Sequence, residues 1–291
     1  MATDARKTDY ELLDAGDGRR LERFGERVVD RPAPSAGDRR LGDFLAWRAA
    51  DLRFDAASGG WFGEAAALEP WSVAIDGLTM ELRPTASGGL GLYPEHAANL
   101  AWVAARIRER ADTPGREAPT VRVLNLFAHT GLLTLGAARA GASVAHVDAS
   151  KGAVDWARRN AALSGVENRP VRWLVDDAAA FVAREARRGR RYDGIVLDPP
   201  SFGHAGRRQW KLADELPALL AACRGVAADD AFVLLTAHST GLDGEVLHAA
   251  LEAAFHPSAP IEARPIGLRA ASGARLELGW AAMMERPRAG G

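Results

Sequence analysis

The chain predicts an α/β fold on a mostly parallel sheet, and three observations carry that prediction. From Thr120 onward, short apolar runs alternate with segments of helical periodicity. Two of those helical segments are closed by glycines, Gly141 and Gly165, the residue type that ends helices at no steric cost. Upstream of Thr120 the rhythm is absent. Parallel neighbours need a crossover between them, so alternating strands and helices over this length imply a parallel sheet covered on both faces.

The elements follow in order. Val121 to Phe127 reads as a strand, Leu132 to Arg139 as a helix, and Val144 to Val147 as a strand. Ala153 to Ser164 is a helix, Val171 to Val175 a strand, Ala178 to Arg188 a helix and Tyr192 to Leu197 a strand. Leu216 to Gly225 and Gly244 to Phe255 are helices around the strand Ala231 to Thr236. A last pair, Ile261 to Pro265 and Arg275 to Met283, closes the sheet with a final antiparallel strand.

Before this domain (120–291), residues 1–60 are expected to form an irregular extension, punctuated by Pro32, Pro34, Gly37 and Gly42. Residues 61–115 are expected to form a small subdomain with a β-hairpin and a helix. Trp71, Val73 and Ile75 alternate, Asp76-Gly77 is a two-residue turn signal, and Leu78, Met80 and Leu82 alternate again. Pro94-Glu95 opens a helix running to about Arg110, and Asp112 to Pro119 is a linker.

Composition narrows the class. The chain has 291 residues, 47% hydrophobic and 26% charged, with a net charge of −1, as a globular protein has. No apolar run approaches the ~20 residues that span a bilayer, and Met1 to Tyr10 carries no apolar signal core. A cytoplasmic protein without membrane partners is the expectation. The single cysteine, Cys223, excludes a disulfide framework, and no metal is expected. Arginines cluster at 187–191 and at Arg207-Arg208, as solvated ends or as phosphate contacts.

The strand ends carry the chemistry. In such sheets ligands bind beyond the carboxyl ends of the strands. The first strand ends in Asn125-Leu126-Phe127-Ala128-His129-Thr130-Gly131, which is not the G-x-G-x-x-G turn of a dinucleotide site. With polar groups at Asn125, His129 and Thr130, it suits a cofactor with an amino-acid head. Asp148 ends the second strand, 23 residues after Asn125, where a carboxylate accepts from ribose hydroxyls; Ala149-Ser150 follow. Asp176-Asp177 ends the third strand, and Asp177 suits either an exocyclic adenine amine or an N-cap. Together these ends fit S-adenosylmethionine. The fourth strand ends in Asp198-Pro199-Pro200-Ser201-Phe202, a rigid lip for a planar acceptor with Phe202 available to stack.

The combination is more specific than the fold. Val123 to Gly131, Ala140 to Lys151, Trp156 to Gly165, Asp176-Asp177, Asp198 to Gly203, Trp210-Lys211 and Gly91 to Asn99 resemble a family of class I S-adenosylmethionine-dependent methyltransferases with a Rossmann-like sheet. That family groups with ribosomal RNA cytosine-C5 methyltransferases. The resemblance runs from about residue 60 to the C-terminus. It implies that Asn125, Phe127, His129, Thr130 and Gly131 contact the methionine part, Asp148 the ribose and Asp177 the adenine. Asp198 and the carbonyls around Pro199 would face the reacting centre, and Tyr93-Pro94-Glu95 would pack over the cofactor.

Two departures stand out. Cytosine C5 is not nucleophilic by itself and needs a thiolate to add at C6. Members with that activity carry cysteine where this chain has Ser239, whose hydroxyl is a poor replacement. Cys223 lies within a helix, where burial is expected. The second departure is the N-terminus, too short for the RNA-binding (PUA) module of some relatives. The expected function is therefore methyl transfer to a ribosomal RNA base at a nitrogen, with catalytic residues Asp198, Pro199, Pro200 and Phe202. His129, His204 and His238 are candidate proton acceptors or structural residues. The alternatives are a small-molecule methyltransferase and a catalytically silent binder of the cofactor or RNA.

Overall fold

The protein, described here by a computed structural model, is traced over residues 8–112, 120–205, 208–257 and 259–285. It divides into two compact units, one comprising residues up to Ala97 with Gly267–Leu278, the other Ala98–Ile266 with the chain from Gly279 onward.

The first unit departs from expectation. The stretch expected to be irregular carries a five-stranded sheet: β1 (Tyr10–Gly16), β2 (Arg19–Phe24), β3 (Arg27–Pro32), β4 (Leu52–Asp55) and β5 (Gly60–Gly63), paired in that order. All neighbours are antiparallel except β3 and β4, which run parallel across a connection holding α1 (Phe44–Arg48). These strands hide from a search for apolar alternation because their inward positions are often charged. Glu22 is fully buried and takes Arg31 Nε at 2.5 Å and the Tyr10 hydroxyl at 3.0 Å. Arg19 Nε reaches the buried Asp30 at 2.5 Å. Asp14, at a bulge of β1, accepts from Trp47 Nε1, Gly42 N and Ser272 Oγ. Burying charge is tolerable only when it is paired in this way.

After the short α2 (Ala65–Leu68), the hairpin β6 (Trp71–Ile75) and β7 (Leu78–Leu82) forms as expected. Its turn residues Asp76 and Gly77 both have positive φ, 46° and 74°, the geometry that matches strand twist. Pro94 opens a 3₁₀ turn that leads into α3 (Ala97–Ala111).

The seven-stranded sheet is the expected one, and it lies in the second unit except for the stretch Gly267–Leu278. Its strands are β8 (Arg122–Leu126), β9 (Ser143–Asp148), β10 (Val171–Val175), β11 (Tyr192–Leu197), β14 (Ala227–Ala237), β15 (Glu262–Arg269) and β16 (Arg275–Glu285). Their order is β10-β9-β8-β11-β14-β16-β15, parallel from β10 to β14, with β16 antiparallel to β14. The helices are α4 (Leu132–Arg139), α5 (Lys151–Leu163), α6 (Ala178–Arg187), α7 (Leu212–Arg224) and α8 (Gly244–Phe255). Helix α7 starts a turn before its expected residue 216, so that Pro217 lies inside it.

Every residue of β11 is buried, as a central strand of a covered sheet requires. At Gly194 a Cβ would come within 2.1 Å of Phe232 Cζ, so the glycine admits the ring from β14. The second unexpected element follows the lip: β12 (Phe202–Ala205) pairs antiparallel with β13 (Arg208–Lys211). Because β8 lies between β9 and β11, the chain's direction of winding switches at β8. That is where ligands bind in such sheets. Among the described residues no helix is long and apolar enough to cross a membrane.

Candidate active site

The loop after β8 is held under strain. Phe127 (φ 56°) and His129 (φ 47°) take the left-handed conformation, which costs a non-glycine residue about 1–2 kcal/mol. Backbone and carboxylate bonds fix it there. Ala128 N donates to Val147 O at 3.1 Å, His129 N to Asp148 Oδ2 at 2.8 Å, and Gly131 N to Ala128 O at 3.0 Å. Gly131, at φ 92°, begins α4 with no side chain capping its first amides. A Cβ there would lie 3.1 Å from Ala157 Cβ, so glycine is required on both counts.

Beneath the loop runs a buried polar chain that sequence reading missed. Asn125 is 3% exposed, and its Nδ2 donates to Thr134 Oγ1 at 2.8 Å. Thr134 Oγ1 shares a 2.9 Å hydrogen bond with His146 Nδ1, and Asn160 Nδ2 donates to Thr130 O at 2.9 Å. Burial pushes the His146 imidazole down to about 3, with His129 and Arg158 adding to the effect, so the ring is neutral. Asn125, in the turn expected to contact the methionine part, thus has its amide nitrogen joined to this polar chain. Thr130 is likewise buried, within 3.3 Å of His129 Nδ1 through its hydroxyl.

Asp148, at the end of β9, takes one backbone amide on each oxygen, His129 N and Ser150 N, both at 2.8 Å. Each oxygen of a carboxylate has two acceptor positions, so one per oxygen is left for ribose hydroxyls. Ala149 is exposed, while the Ser150 side chain caps α5 by accepting from Ala153 N at 3.2 Å. At the end of β10, Asp176 is ion-paired with Arg184. Asp177 Oδ1 accepts from Ala180 N at 2.8 Å, which makes it the N-cap of α6. Of its two expected roles, this is the one the geometry displays.

At the end of β11, Pro199 is buried and Pro200 exposed. Asp198 Oδ1 accepts from Thr236 Oγ1 at 2.5 Å and lies 3.1 Å from His238 Nε2. Thr236 is 1% exposed and sits within the apolar run of β14, a lone hydroxyl that was the only sequence signal of this contact. Ser239 Oγ donates to Ser201 Oγ at 2.6 Å, which ties Ser239 to the lip. His129 lies within the electrostatic reach of both Asp148 and Asp198; burial outweighs them and lowers its affinity for a proton.

Cys223, the chain's only cysteine, is fully buried in α7, and burial pushes its thiol up to about 12. It offers no thiolate. The Phe202 backbone enters β12 opposite Lys211, but its side chain, with those of His204, Arg208 and Trp210, lies outside the described part. Arg207 lies outside the described residues. Tyr93 belongs to the first unit, 43% exposed and edge-on to His96 with ring centres 6.4 Å apart.

A strained turn after the first strand, an acid at the end of the next and Asp-Pro-Pro at the switch point define a Rossmann-like class I methyltransferase. The chain belongs to the S-adenosylmethionine-dependent methyltransferase family, whose pattern it matches over residues 16–223. It is similar to a SAM-dependent methyltransferase from Agrobacterium tumefaciens, of known crystal structure, with 34% identity and a TM-score of 0.88. That likeness covers 97% of this chain and 91% of the other.

It is also 39% identical over 92 residues to the ribosomal RNA large subunit methyltransferase K of Neisseria meningitidis, covering 31% of this chain and 26% of that protein. With the ribosomal RNA large subunit methyltransferase I of Aeromonas salmonicida it shares 37% identity over 105 residues, 36% of this chain and 24% of that protein. The chain thus spans about a quarter of the length of these two curated relatives.

The residues present fit S-adenosylmethionine. Asp148 offers acceptors to ribose hydroxyls, and the uncapped first turn of α4 offers donors to a carboxylate. Carboxylates rather than arginines dominate the strand ends, which suits a cation and disfavours a phosphate.

Proposed function

We propose that this protein transfers the methyl group of S-adenosylmethionine to a nitrogen of a base in ribosomal RNA. One observation carries the choice of atom: the lip presents the Asp198 carboxylate and two hydroxyls, Ser201 and Ser239, and no thiol. A carbon acceptor such as cytosine C5 would need a covalent adduct, and the single cysteine, buried with its thiol pushed up to about 12, supplies no thiolate for it. A base nitrogen brings its own lone pair.

In this reading Asp148 holds the ribose, the amides opening α4 hold the methionine carboxylate, and Asp177 accepts from the adenine amine with its remaining acceptor positions. When bound, the cofactor supplies an electrophilic methyl group. The protein does the rest by positioning: Pro199 and Pro200 fix the carbonyls of the lip, Asp198 sets the acceptor's edge, and Phe202 stacks on the base. Ribosomal RNA as the substrate class is supported by the names of the partial relatives and by the exposed arginines at 187, 188, 190 and 191.

The test is to incubate the purified protein with methyl-labelled cofactor and an extract of cells lacking its gene. Label in large RNA is the expected result. Label confined to small molecules would keep the cofactor and overturn the substrate, and no transfer with the cofactor still bound would make the protein a binder.

A further inference from the structure

We infer that the four arginines flanking Gly189 hold the RNA backbone at a second place, at the end of the sheet opposite the lip. The inference takes its partner class from the proposed reading and adds a contact that the strand-end site does not contain.

The position follows from the path of the chain. Helix α6 starts after its N-cap Asp177, at the strand ends that face the ligand, and finishes at Arg187, before β11 begins. The lip follows Leu197, at the far end of a strand of six residues, about 20 Å away at 3.3 Å per residue. Gly189, at φ 64°, closes the helix: its amide donates to Ala186 O and that of Arg190 to Glu185 O, both at 3.0 Å. This closure gathers Arg187 and Arg188 on one side and Arg190 and Arg191 on the other about one tight turn. All four are exposed. Two further arginines belong to the same end. Arg224 is the last residue of α7, and Gly225 O, next to it, accepts from Arg191. Arg172, in β10, ion-pairs with Glu185 at 3.4 Å.

Charge separates a bound partner from a mere helix end. Cations suit a helix C-terminus, but each adds only about 0.3–1 kcal/mol there. Four guanidiniums within five residues also repel one another, and physiological salt screens such repulsion only beyond about 8 Å. The acid that the cluster contacts is Glu185, which is buried and shared among Arg188 at 3.1 Å, Arg172 and the Tyr192 hydroxyl at 2.6 Å. Among the described residues Arg187 and Arg190 have no ion pair. The whole chain has a net charge of −1, so the cluster is not the overspill of a basic protein. An exposed local excess of guanidiniums fits an extended polyanion, because each fork takes two phosphate oxygens. A ribosomal RNA is long enough to reach this turn while one of its bases lies at the lip, and a small acceptor is not.

A salt titration of RNA binding tests this. The probe is a labelled single-stranded RNA of about 30 nucleotides, followed by fluorescence anisotropy between about 50 and 200 mM salt. Each phosphate held by an arginine adds about 0.7 to the slope of log affinity against log salt. Arg187→Gln with Arg190→Gln should therefore lower that slope by about 1.4 and weaken binding about 25-fold at about 0.1 M salt. Arg187→Lys with Arg190→Lys keeps the charge and should bind within about threefold of wild type. Both positions are exposed, and unfolding temperatures equal to that of the wild type check that the variants are folded. An unchanged slope in the glutamine variant, an equal loss in the lysine variant, or a wild-type protein that binds phosphatidylserine vesicles and not the RNA would each overturn the inference. RNA held through this turn while the methyl label goes to small molecules would leave the inference standing and sink the substrate reading alone.

Discussion

Single residues decide the chemistry of this site. Asp148 holds the loop through His129 N, and in the proposed reading it also holds the ribose through its remaining lone pairs. Asp148→Ala removes both, and should weaken cofactor binding by about 10²-fold, two charge-assisted hydrogen bonds being worth about 1.5–3 kcal/mol each less compensation by water. Calorimetric titration measures it; unchanged affinity would remove Asp148 from the site. Thr236 offers a subtler test. Thr236→Val keeps the shape but withdraws one donor from Asp198, and should cost about 1–3 kcal/mol of stability together with a drop in turnover. Thr236→Ser should restore both, and a valine variant of wild-type turnover would mean that Asp198 needs no such support.

At this scale the sequence was a good guide to acids at strand ends and a poor one to their partners. Asp148, Asp177 and Asp198 stand where the strand rhythm puts them. The hydrogen bond of the Asn125 amide to Thr134 was not legible, because an amide at a strand end points to either face and only its neighbours determine which.

At the scale of elements, the strained turn after β8 depends on the neutral chain below it. His146 gives that dependence a pH signature. Its folded affinity for a proton is depressed to about 3 against 6.5 when free, so between these values the unfolded chain binds a proton that the folded one refuses. Stability from this residue is complete above pH 6.5 and falls as the pH drops, at up to about 1.4 kcal/mol per pH unit. Denaturant unfolding of the wild type should show this loss between pH 7 and 5, and His146→Gln should flatten it. A slope unaltered in the variant would locate the proton uptake elsewhere.

The elements of the second unit were legible because parallel strands buried on both faces read as apolar runs, and their helices close on Gly141 and Gly165. The strands β1 to β5 were not. A strand such as Arg19–Phe24 buries Arg20 and Glu22 along with Leu21, so its pattern carries no period of two in hydrophobicity. The β12–β13 hairpin escaped for a related reason, since Phe202 to Lys211 is short, polar and glycine-containing.

At the scale of the whole molecule, the first unit holds the buried set of Arg20, Glu22 and Arg31, joined by the half-buried Tyr10. Burial disfavours the Glu22 charge, but Arg31 and Arg20 outweigh it and hold the carboxyl below its usual range. Such a pair is costly to break from one side: Arg31→Met should destabilise the unit by about 3–5 kcal/mol, whereas Arg31→Met with Glu22→Leu should regain most of that. Thermal unfolding of the two variants distinguishes them, and equal losses would mean that packing rather than charge is responsible. The two-unit division was only partly legible, since a sequence-based boundary near residue 115 cannot foresee that Gly267–Leu278 belongs with the N-terminal strands.

The central claim is that methyl transfer ends on a base nitrogen, and nucleoside-resolved mass spectrometry tests it most directly. RNA labelled by the wild-type protein would be digested and its methylated nucleoside identified. An N-methylated base is the predicted product; 5-methylcytosine would contradict the account, because it would demand a thiolate that the buried Cys223 does not provide.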